Sequence, residues 1–223
     1  MLVFDCDGTL VDSAGLIVAS MHTVFDELGR PGPEDHAIRA IVGLSLTGAI
    51  GRLLENMGHD ADFDDVQLIG ERYKQAFNRL KIDPAYDQPL YPNVLSCLQA
   101  AKDQGMIVTV ATGKSRRGLE SILDLHDLRG LVDDAITADE AHSKPHPDML
   151  QQLTLRHGVP ATATAMIGDT SFDMEMAVAA DCLAVGVDWG NHDRALLVEA
   201  GAKTVLEDAA ELLPWLAKNG FGS

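Results

Sequence analysis

The chain has 223 residues, 46% of them hydrophobic and 23% charged, a composition that is ordinary for a globular protein and excludes a wholly disordered chain. Its 17 Lys and Arg against 34 Asp and Glu give a formal net charge of −17, which argues against nucleic-acid binding because phosphate backbones are bound by basic surfaces. The length exceeds that of one typical domain, so we expect a main domain with a smaller one inserted or appended.

Cysteines and apolar runs indicate the compartment. Cys6, Cys97 and Cys182 are isolated and odd in number, so reduced thiols are expected rather than a disulfide framework. No apolar run is long enough to cross a bilayer. Met1 leads directly into an apolar segment without the features of a signal peptide. We therefore expect a cytoplasmic protein that has no membrane partner.

Short apolar runs that end in turn signals predict buried strands at residues 2–4, 106–111, 135–137, 165–167, 183–187 and 204–206. Amphipathic patterns between these runs predict helices, for example at residues 94–104, 118–125, 149–157 and 173–180. Strands that alternate with helices predict an α/β fold with a doubly wound, mostly parallel, Rossmann-like sheet. The tail, residues 219–223, is expected to be loose.

The stretch of residues 14–88 interrupts this alternation. It contains several amphipathic helical patterns separated by Gly and Pro, with no convincing strand. We expect residues 14–88 to form an all-helical cap domain, inserted into a core domain made of residues 1–13 and 89–223. The insert should emerge at the carboxyl ends of the strands, where open α/β sheets bind ligands. That position suits a lid, and the alternative is that the helices only cover one edge of the sheet.

Two carboxylates follow the first predicted strand. Asp5 and Asp7 flank Cys6, so strand periodicity places both carboxylates on one side and the thiol on the other. Two carboxylates this close need a compensating cation or a proton on one of them.

Polar residues also follow later strands, and these points lie along one edge of a parallel sheet. Thr112 ends a strand before Gly113, and Lys144 lies in the segment SKPHPD. A hydroxyl and an ammonium can hold phosphate oxygens. Asp169 and Asp173 follow another strand and open a helix, adding carboxylates that suit a hard cation. Together with the first pair, these residues predict a magnesium and phosphate site.

In their order and context, these residues resemble the four motifs of the haloacid dehalogenase superfamily. The first motif matches Asp5 and Asp7, the second Thr112, the third Lys144, and the fourth Asp169 with Asp173. The resemblance spans nearly the whole chain. The insert is similar to the helical cap of this family, and the chain most resembles phosphoglycolate phosphatases and their relatives.

The resemblance implies covalent catalysis. Asp5 would attack phosphorus to form an aspartyl phosphate. Asp7 would protonate the leaving oxygen and then activate the water that releases phosphate. The substrate would be a small phosphorylated metabolite, with phosphoglycolate as the type.

The resemblance also implies a cofactor and a set of binding residues. Mg²⁺ would be held by a carboxylate oxygen of Asp5, the backbone carbonyl of Asp7, and Asp169. The phosphoryl oxygens would be bound by Lys144 and by Thr112 with Gly113, and Asp173 would orient the metal shell or Lys144.

Two other functions are open at this point. A sugar phosphomutase of the β-phosphoglucomutase type shares both acids, but such mutases tend to carry an arginine soon after a Gly and Ser cap loop, and residues 43–47 contain none. A non-catalytic regulator or binding module on the same fold is the second alternative. Substrate choice is expected to depend on cap residues, with residues 43–45, His22, Arg39 and Arg52 as candidates. Both a monomer and a homodimer are compatible with the sequence.

Two histidines bracket the catalytic lysine. His142 and His146 suggest a metal pair, but Pro145 and Pro147 break the helix that would align them. Surface histidines without a ligand are therefore the expectation here.

Overall fold

In the computed structural model, which describes residues 1–221, six strands form one sheet in the order β3-β2-β1-β4-β5-β6. All neighbouring strands are parallel. The strands are β1 (Leu2–Phe4), β2 (Val108–Thr112), β3 (Asp134–Thr137), β4 (Ala165–Gly168), β5 (Leu183–Val187) and β6 (Thr204–Leu206). The chain winds outward from β1 to β3 and then returns to β4 on the other side of β1. The predicted doubly wound α/β sheet is confirmed, and its switch point lies between β1 and β4.

Ten α-helices lie within residues 1–221. They are α1 (Ala14–Glu27), α2 (Asp35–Arg39), α3 (Leu46–Asn56), α4 (Phe63–Leu80), α5 (Val94–Asp103), α6 (Arg116–Leu125), α7 (Asp148–His157), α8 (Ser171–Ala179), α9 (Arg194–Glu199) and α10 (Leu212–Lys218). Helices α5, α6 and α10 contribute to the apolar cluster on one face of the sheet, and α7, α8 and α9 contribute to the cluster on the other.

Strand alternation divides the residues of β1 between these two clusters. Leu2 and Phe4 lie in the first cluster, and Val3 lies in the second. Because successive side chains point to opposite faces, a central strand with apolar residues on both faces must be covered by helices on both sides. This burial holds β1 rigidly at the centre of the sheet.

Helices α1 to α4 lie between β1 and β2 and have an apolar cluster of their own, in which Phe25, Ile50 and Ile69 are almost completely buried. Arg30 adds a bidentate ion pair to Asp65, with N–O distances of 2.8 and 2.9 Å. No strand occurs in residues 14–88, all of which the structure describes. We call this stretch the helical insert. The division into a cap domain of residues 14–88 and a core domain of residues 1–13 and 89–223 stays a prediction.

The end of the chain differs from the expectation of a loose tail. The backbone N–H of Phe221 donates to the carbonyl of Leu216 at 3.0 Å, and Phe221 packs against the first apolar cluster, which orders residues 219–221. Residues 222–223 of the predicted loose tail lie outside the described residues. All three cysteines are buried and free. Within the described residues, no helix is both long and apolar enough to cross a membrane.

Candidate active site

Two buried carboxylates pair with the ammonium group of Lys144 at the carboxyl ends of β1 and β4, and a third buried carboxylate lies near these two. Lys144 Nζ lies 2.7 Å from Asp5 Oδ1 and 2.6 Å from Asp173 Oδ1. One carboxylate oxygen each from Asp5, Asp169 and Asp173 lies within 4.8 Å of the other two. None of these four residues is more than 2% exposed. The structure thus brings together four of the residues predicted from the sequence.

Burial has the largest effect on the pKa values of Asp5 and Asp169 in this cluster. It raises the pKa of Asp5 well above its ordinary value. Burial and the charge of Asp173 raise the pKa of Asp169 to about 6. Burial alone would lower the pKa of Lys144, but Asp173 and Asp5 together outweigh it and raise that pKa. Three carboxylates against one ammonium leave a formal charge of −2, which matches one divalent cation.

The donor set also fits a divalent cation. Asp5 Oδ2 is buried and accepts no hydrogen bond from any described residue. A buried carboxylate oxygen without a donor is costly, and a hard cation that prefers oxygen ligands removes that cost. The residues present therefore suit Mg²⁺ or a similar ion.

Asp169 is held in place by several donors. Its Oδ1 accepts from the hydroxyl of Thr9 at 2.8 Å, and its Oδ2 accepts from the backbone and side-chain N–H groups of Asn191 at 2.9 and 2.8 Å. A Cβ at Gly8 would lie 2.1 Å from Asp169 Oδ2, and Gly8 has φ of +82°. Glycine is therefore required where the first motif passes over this carboxylate.

Asp7 has a separate environment from these three carboxylates. Its Oδ1 lies 2.8 Å from Lys114 Nζ and accepts a hydrogen bond from the hydroxyl of Ser13. Burial lowers the pKa of Lys114, but the Asp7 carboxylate contributes most to the opposing effect, and the net shift is upward. Cys6 between the two acids packs into the first apolar cluster, in agreement with the expected alternation. Each acid of the first motif thus has its own lysine.

Thr112 and Gly113 lie where the insert approaches the sheet. The backbone N–H of Lys114 donates to Thr112 Oγ1 at 3.2 Å, so the Thr112 hydroxyl keeps its own proton for another acceptor. A Cβ at Gly113 would lie 2.2 Å from the carbonyl oxygen of Leu44. Only glycine allows the loop of the insert to approach this closely.

Asp173 both caps helix α8 and contacts the lysine. Its Oδ2 accepts from the backbone N–H of Thr170 at 3.1 Å, and its own backbone N–H donates to Thr170 Oγ1 at 3.4 Å, which together form a capping box. Its Oδ1 faces Lys144. The cap therefore fixes the direction in which Asp173 holds the ammonium.

A cleft of about 770 Å³ lies between the helical insert and the end of the sheet. Its lining includes Asp7, Lys114 and Phe77, with Lys114 Nζ 5.7 Å from the centre of the Phe77 ring. Residues 43–45 also line it, and the backbone N–H of Ser45 donates to Ser143 Oγ at 2.8 Å. The insert therefore contacts the loop that carries Lys144.

The other proposed specificity residues lie elsewhere. His22 pairs with Asp35 at 2.7 Å, and the Arg52 guanidinium lies 5.1 Å from the centre of the Phe172 ring. Neither these two nor Arg39 is among the described residues that line the cleft.

Four residues near the predicted site were not identified from the sequence: Thr9, Ser13, Lys114 and Asn191. Lys114 had a usable signal, because it lies two residues after Thr112 at the end of a strand. Asn191 had none, since its contact with Asp169 depends on a loop after β5.

The haloacid dehalogenase-like hydrolase family matches residues 2–187. The chain belongs to this family. The resemblance inferred from the four motifs is confirmed, and so is the prediction that the protein is an enzyme of the hydrolase class.

Similar proteins agree over nearly the whole chain. The curated protein "Probable phosphatase IndB" from Dickeya dadantii is 34% identical over 96% of this chain and 91% of its own length. A phosphoglycolate phosphatase from Pseudomonas syringae pv. tomato is 30% identical over 96% of this chain and 78% of its own. The crystal structure of a predicted phosphoglycolate phosphatase from Haemophilus somnus has a TM-score of 0.85 at 22% identity, covering 96% of each chain. A putative β-phosphoglucomutase from Bacteroides vulgatus has a TM-score of 0.83 at 21% identity, covering 100% of this chain and 90% of its own. These two structures share the fold.

Proposed function

We propose that this hydrolase is a Mg²⁺-dependent phosphatase that acts on a small phosphorylated metabolite through an aspartyl phosphate on Asp5. The observation that carries the proposal is the buried oxygen Oδ2 of Asp5, which has no hydrogen-bond partner among the described residues, while Oδ1 of the same carboxylate pairs with Lys144. A Cβ on Gly43 would lie 3.8 Å from Oδ2, so the nucleophile faces the loop of the insert that lines the cleft.

The chemistry uses the two acids of the first motif in turn. A carboxylate oxygen of Asp5 forms a bond to phosphorus while the bond to the leaving oxygen breaks, and Asp7 donates a proton to that oxygen. Asp7 then removes a proton from water as the water attacks phosphorus. The second step breaks the bond between Asp5 and phosphorus and releases inorganic phosphate.

The other residues of the site hold the reacting groups in place. Lys144 keeps Asp5 in position and binds phosphoryl oxygens, with Thr112 and Gly113 as further contacts. The buried carboxylate of Asp173 orients Lys144. Mg²⁺ would be held by the Asp5 carboxylate, the Asp7 carbonyl and Asp169, and it supplies positive charge between the anionic nucleophile and the anionic phosphate.

The Lys114 contact explains how Asp7 is released for proton transfer. In the structure, Asp7 accepts a hydrogen bond from Ser13 and pairs with Lys114. A substrate anion in the cleft competes for Lys114. Loss of the ion pair then frees the Asp7 carboxyl to contact the leaving oxygen, as a general acid must.

Phosphoglycolate is the type of substrate that we propose. The relative from Pseudomonas syringae is named a phosphoglycolate phosphatase, and the relative from Dickeya dadantii is named a probable phosphatase. The mutase alternative is weaker, because residues 43–47 contain no arginine and the mutase-like neighbour shares only the fold. A cytoplasmic location, the absence of nucleic-acid partners and a monomer or homodimer stay predictions.

The test is phosphate release from a panel of small phosphate esters, including phosphoglycolate and hexose phosphates, with and without Mg²⁺. We expect Mg²⁺-dependent release, reduced at least about 10³-fold in Asp5→Asn. Asp60→Asn, an exposed acid on the insert, is the matched control and should retain activity. Interconversion of hexose phosphates without phosphate release would indicate a mutase. Absence of turnover across the panel would support the non-catalytic alternative.

A further inference from the structure

Two imidazoles and a carboxylate meet on the loop that carries Lys144. The ring centres of His142 and His146 lie 4.6 Å apart. His142 Nδ1 lies 3.0 Å from Asp148 Oδ2, and the backbone N–H of Asp148 donates to His146 Nδ1 at 3.2 Å. One ligand atom from each of the three residues lies within 4.8 Å of the others.

Backbone turns, rather than a helix, bring these side chains together. The N–H of His142 donates to Asp148 Oδ2 at 2.9 Å, and the N–H of His146 donates to the carbonyl of Ser143 at 3.1 Å. Gln152 Nε2 donates to the other oxygen of Asp148 at 3.1 Å. As expected, no helix runs through Pro145 and Pro147, and both histidines are exposed.

We propose that His142, His146 and Asp148 form a second metal site, which binds one divalent ion of the zinc class. Two imidazole nitrogens and one carboxylate oxygen are a ligand set that zinc and cobalt favour, and three protein ligands leave one position for water. This proposal is independent of the phosphatase activity proposed above.

The spacing of the ligand atoms supports this ion. Zn–N distances of about 2.0–2.1 Å place tetrahedral ligand atoms roughly 3.3 Å apart. The His142 Nδ1 to Asp148 Oδ2 distance of 3.0 Å is already close to that value. The ligand atom of His146 lies within 4.8 Å of the other two and must move closer to them to complete the set. The ion would replace the hydrogen that now bridges His142 and Asp148.

Ligand chemistry separates this site from the catalytic cluster. The three catalytic carboxylates offer only oxygen ligands, which suit Mg²⁺, whereas imidazole nitrogen favours zinc-class ions. The His142 side chain is 76% exposed, so the ion can enter directly from solvent. Excess Mg²⁺ should therefore fill the catalytic cluster and leave the histidine site available.

The experiment is a Co²⁺ titration of the full chain in excess Mg²⁺, followed by the visible absorption of imidazole-bound cobalt, with a parallel calorimetric titration of Zn²⁺. We expect one equivalent to bind, and at least tenfold weaker binding in His142→Ala and in His146→Ala. His59→Ala, an exposed histidine on the insert, is the control and should bind like the parent. Circular dichroism of both variants checks that they keep the fold.

Two results would overturn the proposal. One is the absence of any bound equivalent in excess Mg²⁺. The other is a bound equivalent whose affinity is unchanged in both histidine variants, because such an ion must lie elsewhere. The Asp5→Asn variant should bind the ion normally, so failure of the phosphatase proposal would not affect this result.

Discussion

Replacing Lys144 with Met should destabilise the fold by removing the only ammonium that contacts the buried carboxylates of Asp5 and Asp173 in the described structure. Methionine has a similar length and is tolerated in cores, so the change mainly removes charge. The cluster changes from a formal −2 to −3 while it stays buried. The destabilisation should be largest without Mg²⁺, when no other cation compensates the carboxylates.

The expected magnitude follows from burial. Removing one partner of a buried ion pair costs about 3–5 kcal/mol, which is a large share of the roughly 5–15 kcal/mol that stabilises a typical domain. The urea m-value, which is the loss of unfolding free energy per molar urea, rises with protein size to about 3 kcal/mol/M. Dividing the lost free energy by this m-value gives a fall in the unfolding midpoint of roughly 1–2 M urea.

Urea unfolding followed by circular dichroism in EDTA measures this change. The control is Lys74→Met, whose side chain is 58% exposed and whose pair with Glu71 is a surface pair expected to contribute less than about 1 kcal/mol. The double variant Lys144→Met with Asp173→Asn removes one excess negative charge and should recover part of the loss. A Lys144→Met midpoint equal to that of the parent, or a double variant less stable than the single one, would refute the charge argument.

Three further predictions concern the site and the insert. Gly8→Ala should lower kcat for phosphate release by about 100-fold or more, because its Cβ displaces Asp169 and small misplacements are costly in active sites. Ser143→Ala removes the hydrogen bond to Ser45, which is worth about 0.5–1.5 kcal/mol, so KM in the phosphatase assay should rise by roughly 2–10-fold. Phe25→Ala opens a cavity in the apolar cluster of the insert and should cost about 3–5 kcal/mol, measured by urea unfolding.

Gly29→Ala is the control that separates backbone strain from the clash with Asp169 in Gly8→Ala. Gly29 also has a positive φ, +63°, but nothing lies within 4 Å of a Cβ placed there. Gly29→Ala should therefore show the backbone strain without a clash and keep full phosphatase activity. Equal activity of Gly8→Ala and the parent would show that Asp169 does not need its observed position.

The local sequence pattern placed the ends of most predicted strands and helices within two residues of the observed ends. The differences arise from hydrogen bonds close to those ends. The apolar run at residues 106–111 starts two residues before β2, because the backbone N–H of Met106 still bonds to the carbonyl of Ala101 at the end of α5. Helix α6 starts at Arg116 rather than residue 118, because the Ser115 hydroxyl accepts from the N–H of Gly118 and caps the helix earlier.

The sequence by itself determined the sheet, the helical insert and the first acid-bearing motif, because strand alternation and strand-end turns are properties of neighbouring residues. It also predicted that Asp5 and Asp7 need a compensating cation or a proton on one of them. The pairing of Lys114 with Asp7 was decided only by the tertiary structure, which brings the loop after β2 next to the first motif, as it brings Lys144 to Asp5 from the loop after β3. The approach of His142 to His146 was likewise decided by the loop between β3 and α7. Such contacts depend on strand order and on how loops turn, which local periodicity does not record.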